Sequence, residues 1–490
     1  MTDFDEEFDD DVAYDLVIRG GRVATAADVI DCDIGVRDGR IVALAEHLDL
    51  GTREIDANGR YVTPGGVDGH CHLDQPTTDG SVSADDFESG TISAACGGTT
   101  TVIPFAVQQA GMTLREAVQD YHNRAEGKAV VDYAFHLIVN DPSEQVLGQE
   151  LPALIKDGYT SFKIYMTYDD MKLNDHQILD VMAVARREGA LCMVHAENAD
   201  CITWLTDKLE RAGMTQPEHH ATSRPVPVER EATHRAITLS QLMDTPILIV
   251  HVSSGEAVEQ IRWAQGRGLK IFGETCPQYL FLTEDDLRKP GFEGAKCLCS
   301  PPPRDKESQE VIWDALVNGT FQVFSSDHAP TRYDDPKGKK IRGEDASFRY
   351  VPNGVPGIET RMPLLFSEGV LKGRIDINQF VALTSTNVAK MYGLHPRKGT
   401  IAVGADADLV IWDTGAPFRL DNARLHHNVD YTPYEGMELT AWPGATVSRG
   451  EVVWSDGKPA GMPGHGRFLT CDTPDAAKPK ERFVSAFRPG

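Results

Sequence analysis

Several features common in membrane, secreted and nucleic-acid-binding proteins are missing from this sequence of 490 residues. No hydrophobic run approaches the roughly 18 residues of a membrane span. The first fifteen residues hold eight acids and no base, so they match neither a secretory signal nor a mitochondrial transit peptide. The nine cysteines are an odd number, scattered without a disulfide framework, which favours a reducing compartment. We therefore expect a cytoplasmic protein that binds no membrane.

Basic residues are also scarce. Lys and Arg number 48 against 74 Asp and Glu, which gives a net charge of −26. A general basic field for nucleic acid or anionic lipid is therefore excluded, and small-molecule chemistry is favoured. With 41% hydrophobic and 25% charged residues, the chain has the composition of a globular protein.

Two β-rich stretches bracket the chain. Residues 15–64 and 395–465 alternate short apolar runs with hairpin signals such as Asp38-Gly39. We expect the two stretches to build one small β-sandwich domain. An acidic disordered tail is predicted before them, over residues 1–14.

Between these ends, short continuous apolar runs alternate with segments of helical pattern. Such runs are typical of strands buried on both faces, and segments such as QILDVMAVARREGA supply helices to cover them. Eight strand–helix units predict an α/β fold with a TIM-like (β/α)8 barrel over residues 65–394, with an open doubly wound sheet as the alternative. The eight runs are VTPGGVDGH, TTVIPF, DYAFHLIV, YTSFKIYM, LCMVHA, PILIVHV, LKIFGE and FQVFSSD.

Polar side chains with metal-ligand chemistry end several of these runs. His70 and His72 are two positions apart, so in a strand both face the same way and can bind one ion. Each of His195, His251 and Asp327 follows an apolar run of its own. Because catalytic groups of a barrel gather at the carboxyl ends of its strands, we expect these five side chains to converge.

Lys163 lies inside the apolar run YTSFKIYM. A buried ammonium is costly and has no lone pair to offer a metal. Carbamylation by CO2 would convert it to an anionic group able to bridge two divalent cations, whereas pairing with a buried acid or snorkelling is the alternative.

Long segments of the chain resemble the cyclic amidohydrolases of the dihydropyrimidinase and hydantoinase group. The resemblance runs nearly end to end and implies a barrel flanked by a β-sandwich, a hydrolase that opens cyclic amides to N-carbamoyl amino acids, and a homotetramer. The matching segments include PGGVDGHCHLD, SFKIYMTY, HAENAD, HVSSGEA, GETCPQYL, SSDHAP and PNGVPGIETR.

The resemblance also implies roles for individual residues. It assigns two divalent ions, expected to be zinc, one to His70, His72, Asp327 and carbamylated Lys163, the other to Lys163, His195 and His251. Asp327 is expected to carry a proton to the leaving amide nitrogen. Tyr168 matches a tyrosine that donates to the developing oxyanion, and Ser300 and Asn353 match positions whose main chains hold the ring amide.

Other functions and details stay open. A sister enzyme of the allantoinase or dihydroorotase type is an alternative, and a non-catalytic scaffold is disfavoured because all six ligand positions are filled. Relatives often carry Met and Phe where Gln75 and Thr77 stand, and Phe where Tyr165 stands, so substrate preference and stereochemistry are unassigned. Cys297 and Cys299 are expected to be core residues. Residues 466–490 are predicted as a tail that contacts a neighbouring subunit.

Overall fold

The computed structural model describes residues 13–109 and 111–482. Most of the predicted acidic tail, residues 1–12, lies outside these ranges, and Tyr14 begins the first strand. Five strands open the described chain, and between the second and third Asp38 and Gly39 form a two-residue turn with φ of 52° and 73°, as the hairpin signal predicts. They are β1 (Tyr14–Ala24), β2 (Val29–Arg37), β3 (Arg40–Ala45), β4 (Gly51–Asp56) and β5 (Tyr61–Pro64).

Parallel strands then form the central barrel, and each of the eight predicted apolar runs contains at least one of them. The third run is split into two short strands. The predicted fold class is confirmed. The strands are β6 (Gly66–Cys71), β7 (Thr99–Val107), β8 (Asp132–Tyr133), β9 (His136–Ile138), β10 (Ser161–Tyr165), β11 (Leu191–His195), β12 (Ile247–Ile249), β13 (Ile271–Thr275) and β14 (Val323–Phe324).

A seam between β6 and the residues after β14 closes the barrel. The main-chain N–H of Asp327 donates to the carbonyl of His70 at 2.9 Å, and that of His72 donates to the carbonyl of His328 at 2.7 Å. The first and last strands therefore meet beside the residues predicted as metal ligands.

Helices cover the barrel with one apolar face each. In the segment after β10, Ile178, Val181, Met182 and Ala185 are buried, and their spacing places them on one side of a helix. No helix among the described residues is long and apolar enough to cross a membrane. The α-helices are α1 (Phe87–Cys96), α2 (Leu114–Ala125), α3 (Leu151–Lys156), α4 (Asp175–Glu188), α5 (Ala199–Arg211), α6 (His219–Ser223), α7 (Val226–Met243), α8 (Gly255–Gly266), α9 (Pro277–Phe281), α10 (Lys306–Val317), α11 (Arg361–Leu365), α12 (Ile377–Val381) and α13 (Asn387–Met391).

Short turns of other helix types complete the described chain. The π-helical turns are Val146–Glu150, Phe366–Val370 and Ala382–Thr386. The 3-10 turns are Glu284–Arg288, Glu293–Cys297, Phe348–Tyr350, Asn422–Arg424 and Asp475–Ala477.

Strands near the C-terminus join those of the N-terminus in one nine-stranded mixed sheet, in which β15 pairs antiparallel with β5. The sheet curls around an apolar core, and Arg53 of β4 forms an ion pair with Glu451 of β19 at 2.8 Å. The two β-rich ends therefore build one unit, as predicted. These later strands are β15 (Leu409–Asp413), β16 (Phe418–Arg419), β17 (Glu438–Leu439), β18 (Trp442–Ser448), β19 (Glu451–Ser455) and β20 (Lys458–Pro459), of which β16 and β17 pair separately with each other.

A buried ion cluster joins this sheet to the amino end of the barrel. Nζ of Lys398 lies 2.7 Å from carboxylates of both Asp132 in the barrel and Asp408 before β15, and 3.1 Å from Asp406. Burial would lower the pKa of Lys398, but the three carboxylates together raise it. The cation therefore stays charged between the two parts of the fold.

The described part of the C-terminal segment packs on its own barrel. Tyr133 of β8 exchanges main-chain hydrogen bonds with Arg467 and Leu469, and the Phe468 ring packs at 4.5 Å from that of His122. Contact of residues 466–490 with another subunit stays a prediction, and residues 483–490 lie outside the described ranges.

Candidate metal centre and active site

All six side chains predicted as metal ligands meet at the carboxyl ends of the barrel strands. Nε2 of His70 lies 2.8 Å from Nζ of Lys163 and 3.2 Å from Oδ1 of Asp327. The same carboxylate oxygen lies 3.2 Å from Nε2 of His72. This half of the centre therefore holds two imidazoles, a carboxylate and an amine, linked through His70 and Asp327.

The other two histidines complete the cluster. The rings of His195 and His251 are 4.3 Å apart, and the His251 ring is 5.4 Å from that of His70. Ligand atoms of His70, His251 and Asp327 all lie within 4.8 Å of one another. The convergence expected from strand-end positions is therefore present in the structure.

Three residues of the site adopt a backbone conformation that side chains other than glycine rarely take. The φ angles are 67° at Tyr168, 40° at His251 and 45° at Asp327. Such strain costs of order 1–3 kcal/mol each and persists where the surrounding structure enforces it, characteristically at functional sites. The chain is held in these conformations at three separate strand ends.

Buried partners that sequence reasoning missed orient the histidines. Oε1 of Glu274 lies 2.6 Å from Nδ1 of His70, and Oε2 of Glu197 lies 2.7 Å from Nε2 of His195. Hydrogen bonds of this kind fix the tautomer and leave the opposite ring nitrogen free. The one available signal was that both glutamates end or follow apolar runs, in GETCPQ and HAENAD.

Gln75 is a third such partner. Its Oε1 lies 2.5 Å from Nδ1 of His72, whose ring also stacks on Phe105 at 5.1 Å. The sequence indicated Gln75 only as a residue of the pocket. The structure gives it a second contact, with a predicted metal ligand.

Burial controls the charge of these groups. Together with the nearby Lys163 cation, burial lowers the pKa of His70 well below its usual value. Burial also lowers the pKa of His195, although Glu197 opposes this, and it lowers the pKa of Lys163 to about 8. Neutral imidazoles and an amine with reduced proton affinity are the forms that metal binding and carbamylation require.

The donor set fits divalent metal ions. Four imidazoles and a carboxylate are ligands that zinc and other transition metals take. Nδ1 of His251 is buried without a hydrogen-bond partner among the described residues, as is Oε2 of Glu274. Lys163 is 1% exposed, and no carboxylate of the described residues forms an ion pair with it. The nearby carboxylates of Asp327 and Glu274 act to raise its pKa but form no hydrogen bond with it. A buried amine next to free imidazole nitrogens fits a modified lysine that binds metal.

Tyr168 lies over this centre. Its ring packs edge-on against that of His195 at 5.3 Å, and the Arg224 guanidinium lies 5.5 Å from its centroid. Burial raises the pKa of Tyr168 to about 12, although Arg224 opposes the shift. The phenol therefore keeps its proton at neutral pH and can donate a hydrogen bond.

A cavity of about 740 Å³ opens above the centre. Ser300 and Asn353 line it, and the Ser300 hydroxyl donates to Oδ1 of Asn353 at 2.7 Å. The Ser300 hydroxyl also lies 3.2 Å from Nε2 of the buried His220. The main-chain role that the resemblance implies for Ser300 and Asn353 stays a prediction.

Many polar side chains line the cavity. Among them are Gln75, Thr77 and Tyr165, together with Asp79, Ser81, Gln108, Asp141 and Asp170. The Thr78 hydroxyl donates to Asp170 at 2.8 Å and thereby links two of the surrounding loops. Cys297 and Cys299 are buried core residues that do not line the cavity, as predicted.

Comparison with known proteins gives consistent matches over most of the chain. The model of the amidohydrolase family matches residues 61–453. A D-hydantoinase of Geobacillus stearothermophilus is 48% identical over 92% of this chain and 96% of its own length. A D-hydantoinase of Rhizobium radiobacter is 43% identical over 93% of this chain and 98% of its own. The solved structure of dihydropyrimidinase from Brevibacillus agri NCHU1002 superposes with a TM-score of 0.91 at 43% identity, covering 94% of this chain and 99% of that one.

Proposed function

The chain belongs to the amidohydrolase family, and we propose that it hydrolyses the cyclic amide bond of hydantoins and dihydropyrimidines to give N-carbamoyl amino acids. The observation that carries this proposal is the convergence of four histidines, Lys163 and Asp327 beneath a cavity whose wall contains Tyr168. The relatives named D-hydantoinase and dihydropyrimidinase support the substrate class.

The six predicted ligands would hold two divalent ions, which we propose to be zinc. When bound, such ions lower the pKa of a shared water and polarise the substrate carbonyl. His70, His72 and Asp327 would serve one ion and His195 and His251 the other. Lys163 would contact both as its carbamate, formed when its neutral amine adds CO2 and releases one proton.

The chain's own groups would then guide the reaction. Asp327 accepts the proton of the attacking water and returns it to the ring nitrogen as the carbon–nitrogen bond breaks. Tyr168 donates its phenol hydrogen to the oxygen that gains negative charge. The main chains at Ser300 and Asn353 hold the ring amide, and their linked side chains keep the two segments at a fixed spacing.

The exocyclic substituent of the substrate is expected to be small or polar. Gln75, Thr77 and other polar residues line the cavity, and an apolar substituent placed against them forfeits about 1–3 kcal/mol per group. We therefore propose that dihydrouracil and unsubstituted hydantoin are better substrates than phenylhydantoin. A higher kcat/KM for phenylhydantoin in a competition assay would contradict this.

A substrate panel on metal-analysed protein tests the function itself. Hydantoin, dihydrouracil, allantoin and dihydroorotate should each be offered to the same preparation, with release of the ring-opened product followed by chromatography. We expect turnover of the first two. Turnover of allantoin or dihydroorotate alone would favour the sister activity, and no turnover with a full metal complement would favour a non-catalytic scaffold.

Asp327→Asn separates proton transfer from metal retention. The amide keeps the shape of the carboxylate but cannot carry the proton, so kcat should fall by at least roughly 100-fold. The metal content should fall much less, because the other predicted ligands remain. Asp141→Asn is the matched control, since Asp141 also lines the cavity but is exposed and lies in another loop. Near-normal turnover of Asp327→Asn would refute the assignment.

We also propose an oligomeric state and a cellular compartment for this protein. The resemblance supports a homotetramer in the cytoplasm, which light scattering coupled to size-exclusion chromatography would test for the assembly. A monomer at micromolar concentration would contradict it.

A further inference from the structure

Lys339 places a buried cation behind the wall of the cavity. It is 1% exposed, and its Nζ donates to three main-chain carbonyls, those of Pro352 at 2.6 Å, Gly354 at 2.7 Å and Leu298 at 3.3 Å. These carbonyls are its only hydrogen-bond partners among the described residues. Lys339 does not itself line the cavity.

The three carbonyls belong to the two segments that hold the proposed ring-binding residues. Pro352 and Gly354 flank Asn353, and Leu298 precedes Ser300 by two positions. Ser300, Pro352, Asn353 and Gly354 all line the cavity. One ammonium group therefore contacts both walls of the proposed ring-amide site from behind.

Few other contacts join these two segments. The N–H of Gly354 donates to the carbonyl of Leu298 at 3.0 Å, and the Ser300 hydroxyl donates to Asn353 at 2.7 Å. The Leu298 carbonyl thus accepts from Gly354 and from Lys339. Lys339 adds three more contacts, and its three acceptors match the three N–H donors of the ammonium form, although burial lowers its pKa to about 7.

A tight turn between Arg332 and Lys339 precedes the lysine. The N–H of Lys339 donates to the carbonyl of Arg332 at 2.8 Å, and a Cβ added at Gly338 would lie 2.0 Å from the same oxygen. A buried ammonium paired with carbonyls rather than a carboxylate is a costly arrangement.

We propose that Lys339 is a positioning residue that sets the spacing between the main chains of Ser300 and Asn353, and through it the affinity for the ring amide. The inference rests on the proposed function, since it takes those main chains as the groups that hold the substrate. Lys339 touches no substrate and no predicted metal ligand.

Lys339→Met tests the inference, because it keeps most of the side-chain stem and removes all three donors. We expect the KM for hydantoin to rise about tenfold or more, equivalent to about 1.4 kcal/mol of binding, with the metal content of the unmodified protein. Uracil, whose ring offers the same amide groups, should lose affinity to a similar degree in calorimetric titration of the metal-loaded protein. The matched control is Lys340→Met one residue along, where the lysine pairs with Asp334 and Glu344.

The outcomes separate positioning from a structural role. A lower melting temperature or lower kcat with unchanged KM and unchanged uracil affinity would overturn the inference, because loss of folded protein does not alter KM. If Lys339→Met does not fold, Lys339→Gln, which keeps a shorter N–H donor, is judged by the same two measurements. Failure of the unmodified protein to open any ring would refute the proposed function, whereas the uracil titration would still decide the role of Lys339.

Discussion

Lys163 is buried against two aromatic rings at the floor of the cavity. Its Nζ lies 4.7 Å from the centroid of Phe105 and 5.0 Å from that of Tyr165. Burial nevertheless lowers the pKa of Lys163 to about 8, and its one hydrogen-bonding partner among the described residues is an imidazole nitrogen. The environment therefore suits an ammonium poorly and suits an anionic carbamate between metal ions better.

Lys163→Ala should lose most of its metal and its activity. An anionic bridge offsets the repulsion between two dications, so its removal should leave well under the about two ions per chain expected of the unmodified protein. Elemental analysis of the purified variant gives the number directly. Lys172→Ala, which removes a lysine paired with Asp169 near the surface, is the control. A fully loaded Lys163→Ala would contradict the bridging role.

Gln75→Met should weaken metal binding as well as alter substrate choice. Met offers no comparable acceptor to Nδ1 of His72, so the tautomer that leaves Nε2 free is no longer fixed. Loss of such a partner lowers metal affinity by roughly 10- to 100-fold. Chelator competition measures this without reference to turnover. Gln109→Met is the matched control, because Gln109 lines the same cavity and is exposed. Equal chelator resistance of the two variants would leave Gln75 a pocket residue only.

Residues whose neighbours follow from strand geometry could be predicted, and the others could not. His70 and His72 share a face because side chains alternate along β6, and the ends of parallel strands meet at one edge. Glu274 contacts His70, 204 positions earlier in the chain, and Lys339 contacts main-chain carbonyls of two other segments. No local sequence pattern predicts such pairings. Their roles follow only once the chain is folded.

Strand β6 is the element on which the metal centre depends most. It carries His70 and is followed by His72. Gly69 of the same strand has no side chain, so α13 and the following Tyr392 pack directly on the strand backbone. A Cβ at Gly69 would lie 2.5 Å from Cε2 of Tyr392 and 3.0 Å from Cγ1 of Val388. Tyr392 is completely buried and cannot easily give way.

Gly69→Ala should therefore move the strand and disturb both histidines. Overpacking of this kind costs about 1–3 kcal/mol, so the melting temperature should fall by several degrees and metal affinity should fall with it. Thermal unfolding and chelator competition measure the two effects. Gly148→Ala provides the comparison, because nothing lies within 4 Å of a Cβ there and its φ is not positive. Similar melting temperatures for the two variants would show that α13 adapts.

The apolar runs predicted which barrel strands form, but not where each strand begins and ends. All eight runs contain barrel strands because a strand buried on both faces must be apolar throughout. The run DYAFHLIV holds two short strands instead of one, since Ala134 and Phe135 leave the pairing between Tyr133 and His136. Such a break depends on the neighbouring strand and leaves no mark in composition.

Across the whole molecule, Lys398 connects the barrel with the curled sheet. Lys398→Met would leave three carboxylates buried without their shared cation. Breaking a buried ion cluster costs about 3–5 kcal/mol, whereas Lys372→Met, which removes a surface pair with Glu368, should cost under about 1 kcal/mol. Denaturant midpoints of the two variants measure the difference. Indistinguishable midpoints would mean that the carboxylates take up protons or water at no cost.

The joining of the two chain ends could be predicted, but not what secures it. Similar hairpin signals at both ends indicated one β unit, because half-buried strands need partners. The Lys398 cluster joins residues 398–408 to Asp132, 266 positions earlier in the chain, so only the folded chain shows that charge as well as apolar contact holds the two parts together.

The seam that closes the barrel has a consequence for how the protein gains and loses metal. His72 and Asp327 lie on opposite sides of it and are 255 positions apart in the chain. An ion held by both would act as a removable cross-link, and restricting a loop of that length withdraws several kcal/mol of chain entropy from the open state, by roughly the amount a disulfide would. Without that cross-link we expect the barrel to open first at this seam. Loss of the ion and separation of the first and last strands would then occur together.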